Sequence, residues 1–210
     1  MYKRQSNILN DLDKKVQLVA VSKTKPTDFI IEAYQAGQRV FGENKVQELV
    51  EKSAVLPDDI QWHMIGHLQT NKVKYIAPFV SLIHAVDSKK LLIEIDKRAR
   101  QNDRVIHCLL QIHIAQESSK FGLNENEAFE LLEMNLANIS IDGLMGMATF
   151  TDDKHQIRSE FKSLKNTFEK AKSNFHKLSI LSMGMSGDYD IAIEEGSNMI
   201  RIGSSIFGSR

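Results

Sequence analysis

The stretch QLVAVSKTKP, residues 17–26, decides the fold, because it predicts a short buried strand that ends on a lysine. Apolar side chains occupy both parities of residues 18–22, which is typical of a parallel strand covered on both faces. Side chains alternate along a strand, so Lys23 continues the row formed by Val19 and Val21. The sequence therefore places an amine at the carboxyl end of a buried strand.

Two interpretations of Lys23 are open at this point. An amine at the end of a buried strand is poorly solvated, and desolvation lowers the pKa of an amine. A lysine that loses its proton readily can form a Schiff base with an aldehyde. The alternative is an ordinary solvated loop lysine, since lysine is rarely buried. The rest of the chain has to decide between them.

The composition restricts the classes of protein that the chain can belong to. The 210 residues are 42% hydrophobic, and 27 basic residues balance 27 acidic ones. A balanced charge gives no general attraction to nucleic acid or to a membrane surface. A single cysteine, Cys108, excludes an internal disulfide, and no stretch approaches the ~20 apolar residues of a membrane span. The N-terminal segment lacks the apolar core of a signal peptide, so we expect a cytoplasmic protein.

Strand-like and helix-like segments alternate along the chain. Eight apolar segments predict strands at residues 18–22, 39–42, 61–65, 82–86, 105–115, 141–149, 178–183 and 199–202. Predicted helices lie at 3–14, 27–36, 46–56, 69–77, 88–101, 125–137, 153–174 and 187–196. Eight strand–helix units favour an α/β fold of the closed (β/α)8 TIM-barrel type over an open doubly wound sheet. Few Pro and Gly residues argue against linkers, so we expect one domain over residues 1–210.

Two Gly- and Ser-rich loops follow the last two predicted strands. They read GMSG at 184–187 and GSS at 203–205, and each one is expected to open a helix. Backbone N–H groups at such a turn, with hydroxyls beside them, bind anions, and the loops after strands seven and eight are the usual phosphate site of these barrels. Ordinary helix capping by Ser and Gly is the alternative interpretation of either loop.

Arg201 lies inside the eighth predicted strand, in MIRIG at residues 199–203. Ile200 and Ile202 share one parity and are expected to face the helices, so Arg201 is expected to face the barrel mouth. An arginine in so apolar a strand needs a fixed acceptor, because its charge cannot be titrated away. Either a structural carboxylate or the ring nitrogen of a ligand satisfies this requirement.

One group of barrels combines these three features: a lysine at the end of strand one, phosphate loops after strands seven and eight, and an inward arginine on strand eight. The chain resembles the pyridoxal phosphate homeostasis proteins, whose fold is similar to the N-terminal barrel of alanine racemase. The matching stretches keep the family's order over nearly the whole chain: LVAVSKTKP (18–26), FGENKVQE (41–48), WHMIGHLQTNK (62–72), IHAVDS (83–88), GLMGMATF (143–150), LSMGMSGDYDIAI (181–193) and MIRIGSSIFG (199–208). His67 departs from the pattern, since family members often carry another residue there.

The resemblance implies a cofactor and the residues that hold it. Lys23 is expected to carry pyridoxal 5′-phosphate (PLP) as a Schiff base, and Arg201 to face its pyridine nitrogen. Asn44 and Met145 are expected beside the cofactor, and Lys120 is expected to accept PLP during transfer. The residues implied to contact the phosphate are Ser186, Gly203 and Ser204.

The function implied by the resemblance is intracellular PLP (vitamin B6) homeostasis and amino-acid and keto-acid balance. We expect binding and transfer of PLP without efficient catalysis, because an arginine opposite the ring nitrogen disfavours its protonation and weakens the electron sink. A racemase also needs acid–base groups on both faces of its substrate, and the additional racemase domain that helps to place one of them is not expected here. We therefore expect a monomer that makes transient contact with PLP-dependent apoenzymes. The alternative is a PLP-dependent racemase of narrow or weak activity.

Two other classes of protein compete with this interpretation. A class I aldolase for a small phosphosugar also uses a barrel lysine and a phosphate site, but it normally carries the lysine on a later strand. A purely structural barrel has no aldehyde chemistry. No metal site is predicted, because His63 and His67 flank a strand end and do not share a helix face.

Overall fold

The computed structural model describes residues 15–117 and 121–208 of the chain. The strands are β1 (Gln17–Val21), β2 (Val40–Glu43), β3 (Gln61–Met64), β4 (Leu82–Val86), β5 (Ile106–Gln111), β6 (Ile139–Met145), β7 (Ile180–Ser182) and β8 (Met199–Ile202). The helices are α1 (Thr27–Gln35), α2 (Val46–Ser53), α3 (Val73–Ile76), α4 (Lys89–Gln101), α5 (Glu125–Leu132), α6 (Lys154–Asn174), α7 (Tyr189–Glu194) and α8 (Ser204–Phe207), with a 3₁₀ turn at Thr70–Lys72 before α3. The predicted helix at 3–14 and Lys120 lie outside the described residues.

The eight strands form one closed barrel in which neighbouring strands are parallel. β1 pairs with β2 on one side and with β8 on the other, where Val19 lies opposite Arg201. A helix in each connection returns the chain to the same end of the barrel before the next strand begins. The predicted (β/α)8 TIM-type barrel is confirmed, and the carboxyl ends of all eight strands meet at one mouth.

Two apolar layers stabilise the barrel, and β1 contributes to both of them. Leu18 and Ala20 pack outward in the large core between sheet and helices, whereas Val19 packs inside the barrel. Ile200 and Ile202 of β8 also belong to the outer core, as their parity predicted. The interior layer consists of Val19, Val40, Leu82, Ala85, Leu109, Met145 and Met199. Both parities of these strands are apolar because both faces are covered.

Several predicted segments were too long at their carboxyl ends. The fifth strand was predicted to reach residue 115 but ends at Gln111, where its carbonyl accepts from the N–H of Leu123, at 2.8 Å. The sixth was predicted to reach residue 149 but ends at Met145. In both cases the apolar run continues past the sheet, and Ile112 and Ala148, just beyond the two strands, pack in the outer core. The predicted helices 46–56, 69–77 and 125–137 are likewise shorter, whereas a helix opens at the GSS loop as expected, in the short α8.

The helices of the described chain are those of a barrel surface. None of them combines the length and the apolar content that crossing a bilayer requires.

Candidate functional site

A cavity of about 500 Å³ opens at the carboxyl ends of the strands, where the sequence placed the site. Its walls come mainly from the segments that follow β1, β2, β3, β6, β7 and β8. Six of the predicted site residues line it: Lys23, Asn44, Ser186, Arg201, Gly203 and Ser204. Met145 does not line it, because this side chain is fully buried in the interior layer below. From the same strand end, Met147 reaches the cavity instead.

Lys23 follows β1 directly and is half-buried at the cavity wall. Within the described ranges its ammonium has no hydrogen bond or ion pair. The next residue, Thr24, has a φ of 62°, a left-handed conformation that β-branched residues rarely adopt. The N–H of Thr24 donates to the Glu48 carboxylate at 2.7 Å, which stabilises this turn. The amine is thus presented to the cavity on a short, tightly held turn.

A buried polar network lies behind that turn. The Lys52 ammonium, on α2, donates to Glu43 Oε1 at 2.8 Å and to the carbonyl oxygen of Ser22 at 2.9 Å. The Ser22 hydroxyl donates to the same Oε1 at 2.6 Å. Burial raises the pKa of Glu43, although Lys52 and Ser22 oppose the shift. Both residues that flank Lys23 are therefore fixed by β2 and α2.

The charge on Glu48 depends on the same network. Burial alone raises the pKa of this carboxyl, but the N–H of Thr24 and the Lys52 ammonium outweigh it and hold the pKa below its usual value. Glu48 is therefore a carboxylate at neutral pH and a strong acceptor for the turn. One signal in the sequence points to this network: Lys52 follows Leu49 by three residues, so both lie on the buried face of α2.

Arg201 is 4% exposed and lies at the floor of the cavity. Its guanidinium donates to the Ser182 hydroxyl at 2.6 Å and to the Gly146 carbonyl oxygen at 3.1 Å. No carboxylate of the described residues lies within ion-pair distance, so the structural carboxylate considered from the sequence is not found. Burial lowers the pKa of Arg201 to about 10, partly offset by the charge of Asp188, and the side chain remains a cation at neutral pH.

The two Gly- and Ser-rich loops meet in the wall beside the end of β1, where a Cβ on Gly203 would lie 3.3 Å from the Val21 carbonyl oxygen. The Ser186 hydroxyl accepts from the N–H of Gly203 at 3.3 Å, which joins the loop after β7 to the loop after β8. A hydroxyl that accepts this bond still has its own hydrogen to donate to an anion. Gly184 has a φ of 98°, and a Cβ there would lie 2.7 Å from that of Ala192, so only glycine suits this turn. Because α7 and α8 are short, the donors here are individual hydroxyl and N–H groups rather than a helix dipole.

Asn44 extends from the end of β2 into the same cavity. A Cβ at Gly66 would lie 2.4 Å from the Asn44 carbonyl oxygen, so glycine is required for the two strand ends to approach this closely. The outer wall is the loop after β6. The Thr149 N–H and hydroxyl donate to the Glu160 carboxylate at 2.6 and 2.8 Å, which fixes this loop to α6.

A family model, "Alanine racemase, N-terminal domain", matches residues 3–210 of the chain. A pyridoxal phosphate homeostasis protein from Vibrio alginolyticus is 41% identical over 204 residues, which cover 94% of this chain and 88% of that protein. The chain belongs to the pyridoxal phosphate homeostasis protein family.

Solved structures agree with this membership. PipY of Synechococcus elongatus PCC7942, determined with PLP bound, superposes with a TM-score of 0.90 at 34% identity and covers 99% of each chain. An alanine racemase of Clostridium difficile has a TM-score of 0.77 at 14% identity, so it shares the fold; the match covers 99% of this chain and 56% of the racemase.

Within this family pattern, His67 is the residue that departs from expectation, and the structure places it away from the cavity lining. Its Nδ1 lies 2.8 Å from Asp87, and its ring stacks on Phe121 with a centroid distance of 4.1 Å. His63 points into the barrel, where it contacts His84. No group of His, Cys, Asp and Glu side chains suited to a metal ion occurs in residues 15–117 and 121–208.

Proposed function

We propose that this protein binds PLP as a Schiff base on Lys23 and acts in intracellular PLP homeostasis and the balance of amino and keto acids. The observation that carries the proposal is one cavity that holds an amine without a partner among the described residues, a buried guanidinium and two hydroxyl-bearing loops. An aldehyde, a pyridine ring and a phosphate are the three chemical groups of PLP. Each of them has a matching group in this cavity.

The residues present fit the cofactor group by group. Lys23 supplies the amine for the aldehyde, and the phosphate contacts are assigned to Ser186, Gly203 and Ser204. Arg201 supplies a permanent cation for the side of the ring nitrogen, and Asn44 a neutral polar group at the rim. The assignment of Met145 remains a prediction, since Met147 is the methionine that lines the cavity. The names of the relatives and the bound PLP in PipY support this proposal.

The cavity supports binding better than efficient turnover. Bound PLP would supply an electron sink for bonds at an amino-acid α-carbon. Arg201 weakens that sink, because a fixed cation disfavours protonation of a nearby ring nitrogen. Among the described lining residues there is no His, Tyr or Cys that would serve as a second acid–base group opposite Lys23. We therefore infer a carrier rather than an efficient racemase.

The same proposal extends to how the cofactor leaves. We assign Lys120 as an acceptor of PLP during transfer and transient contacts with PLP-dependent apoenzymes as the route. We also propose one domain over residues 1–210, a monomer and a cytoplasmic location. These assignments follow from the family resemblance and from the balance of acidic and basic residues in the chain.

The test is a visible absorption spectrum of the purified protein loaded with PLP, followed by borohydride reduction and peptide mapping. We expect a yellow protein in which reduction fixes one PLP on Lys23. Lys23→Ala should lose the band, whereas Lys90→Ala, which removes an exposed lysine of α4 that does not line the cavity, should keep it. A full band in Lys23→Ala would move the attachment to Lys25 or Lys120 and overturn the assignment.

A further inference from the structure

Four buried polar side chains form a continuous hydrogen-bond chain across the barrel interior. His63 Nδ1 lies 3.0 Å from His84 Nε2, and His84 Nδ1 lies 3.3 Å from the Ser182 hydroxyl. The Ser182 hydroxyl accepts from Arg201 at 2.6 Å. All four residues are 0–4% exposed. They come from β3, β4, β7 and β8, so this hydrogen-bond chain crosses the barrel below the cavity and ends at Arg201, on the floor of the cavity.

Arg201 fixes the direction of every hydrogen bond in this chain. A guanidinium can only donate, so the Ser182 oxygen accepts from it. The hydroxyl hydrogen of this buried serine then has one acceptor among the described residues, His84 Nδ1. An imidazole that accepts at Nδ1 carries its proton on Nε2, and His84 therefore donates to His63 Nδ1. The same reasoning puts the His63 proton on Nε2.

Both imidazoles are neutral. Burial lowers the pKa of His63 to about 3. Burial lowers the pKa of His84 well below its usual value, and the nearby His63 and Arg201 add to that shift. The guanidinium is then the one charged group among these four hydrogen-bonded residues. Each of the three neutral groups accepts a hydrogen bond from its neighbour on the Arg201 side.

We infer that Ser182, His84 and His63 position Arg201 and keep its charge directed at the ring-nitrogen side of the cavity. The inference rests on the proposed function, because it assigns these three residues to the cofactor's ring. Hydrogen bonds that run in one direction polarise one another, so Ser182 is a better acceptor when it donates to His84. Ser182, His84 and His63 are positioning residues, since none of them lines the cavity.

The direction of the chain is tested first, on the protein without added cofactor. Long-range ¹H–¹⁵N correlation spectra distinguish the two neutral tautomers of histidine and the imidazolium. The His63 and His84 signals are assigned by their loss in His63→Phe and His84→Phe. We expect both residues as neutral Nε2–H tautomers between pH 6 and pH 8. An Nδ1–H tautomer or an imidazolium at either position would overturn the inference.

The role of the chain is tested next, with His84→Leu and His84→Gln loaded with PLP labelled with ¹⁵N in the ring. Gln can accept from Ser182 and donate to His63, whereas Leu can do neither at a similar volume. We expect His84→Leu to bind PLP about tenfold more weakly, as expected for a weakened hydrogen bond to a charged group, and to shift the ring ¹⁵N resonance. His84→Gln should restore both values to within about threefold in affinity and close to the original resonance. A His84→Leu protein that folds and matches the unmodified protein in both values would refute the positioning role.

The two experiments separate this inference from the proposed function. If borohydride fixes no PLP in the unmodified protein, the proposed function fails while the tautomers can still be as described. If PLP is fixed on Lys23, but the tautomers or the His84→Leu results differ from those expected, only the inference about the hydrogen-bond chain fails. His63→Gln is a second variant at the far end of the chain, and we expect a smaller effect in the same direction.

Discussion

The ammonium of Lys52 and the carboxylate of Glu43 form an ion pair at 2.8 Å directly behind the turn that carries Lys23. Their side chains are 9% and 0% exposed, so neither charge is well hydrated. Lys52 also donates a hydrogen bond to the Ser22 carbonyl oxygen, on one side of Lys23. On the other side, Glu48 accepts a hydrogen bond from the N–H of Thr24. The geometry of the proposed attachment site therefore depends on charges that are outside the cavity.

We predict that Lys52→Met destabilises the protein by about 3 kcal/mol, because it leaves the Glu43 carboxylate buried without a cation. Burial already raises the pKa of Glu43, and loss of Lys52 would raise it further. A folded-state pKa above the unfolded value favours the folded state at low pH and lowers stability as pH rises through it. The loss should therefore be larger at pH 8 than at pH 5, as measured by urea unfolding.

The matched control for this change is Lys97→Met, which removes an exposed lysine of α4. We expect it to change the free energy of unfolding by less than about 0.5 kcal/mol at either pH. The double variant Glu43→Gln with Lys52→Met removes both charges and should recover part of the loss. Equal losses at pH 5 and pH 8 for Lys52→Met would show that the Glu43 charge is not the cause.

The turn after Lys23 gives a second prediction. Thr24 adopts a φ of 62°, which asparagine tolerates better than a β-branched residue. The N–H that bonds Glu48 is kept by Thr24→Asn, so the turn is conserved while the strain is reduced. We expect a gain of about 0.5–1 kcal/mol in the free energy of unfolding. Thr24→Val keeps the branch and should give no gain; a gain of the same size in Thr24→Val would refute the strain argument.

The phosphate assignment predicts a difference between two vitamers. Ser186→Ala and Ser204→Ala each remove a hydroxyl from the cavity wall, so each should weaken PLP binding about tenfold. Neither should change the binding of pyridoxal, which has no phosphate, by more than about twofold. Ser205→Ala is the matched control, because this neighbouring serine is not part of the lining. Fluorescence titration with both vitamers gives the values, and equal losses for the two would contradict the assignment.

Alternation along the strands made much of this site predictable from the sequence. The parities of Val19 and of Ile200 and Ile202 are enough to decide which face of β1 and β8 is outward, and the structure confirms them. It is harder to predict how far along a strand the interior layer ends and the cavity begins, because residues two apart share a parity. Met145 and Met147 illustrate the difficulty: the first lies in the interior layer and the second in the cavity.

Contacts between elements that are distant in sequence were not predictable in the same way. The pairing of Glu43 with Lys52 depends on how α2 is rotated against β2, and Ser182 reaches Arg201 from the neighbouring strand. The sequence showed that Arg201 needs an acceptor and suggested a structural carboxylate or a ligand's ring nitrogen, but not the Ser182 hydroxyl. Pairing of β7 with β8 in this register brings Ser182 to the guanidinium, and a pattern of single residues does not contain that information.

The absence of efficient racemisation is the prediction that bears most directly on function. The purified protein loaded with PLP is incubated with L-alanine, L-serine and L-lysine, and formation of the D-isomers is followed by chiral chromatography. We expect turnover well below about 1 s⁻¹, the lower end of ordinary enzyme rates, since the proposed position of Arg201 weakens the electron sink and the described lining contains no His, Tyr or Cys beside Lys23. An alanine racemase assayed alongside is the positive control. Turnover of a few per second on any of these amino acids would identify the protein as an enzyme, and the carrier proposal would have to be replaced by the racemase alternative.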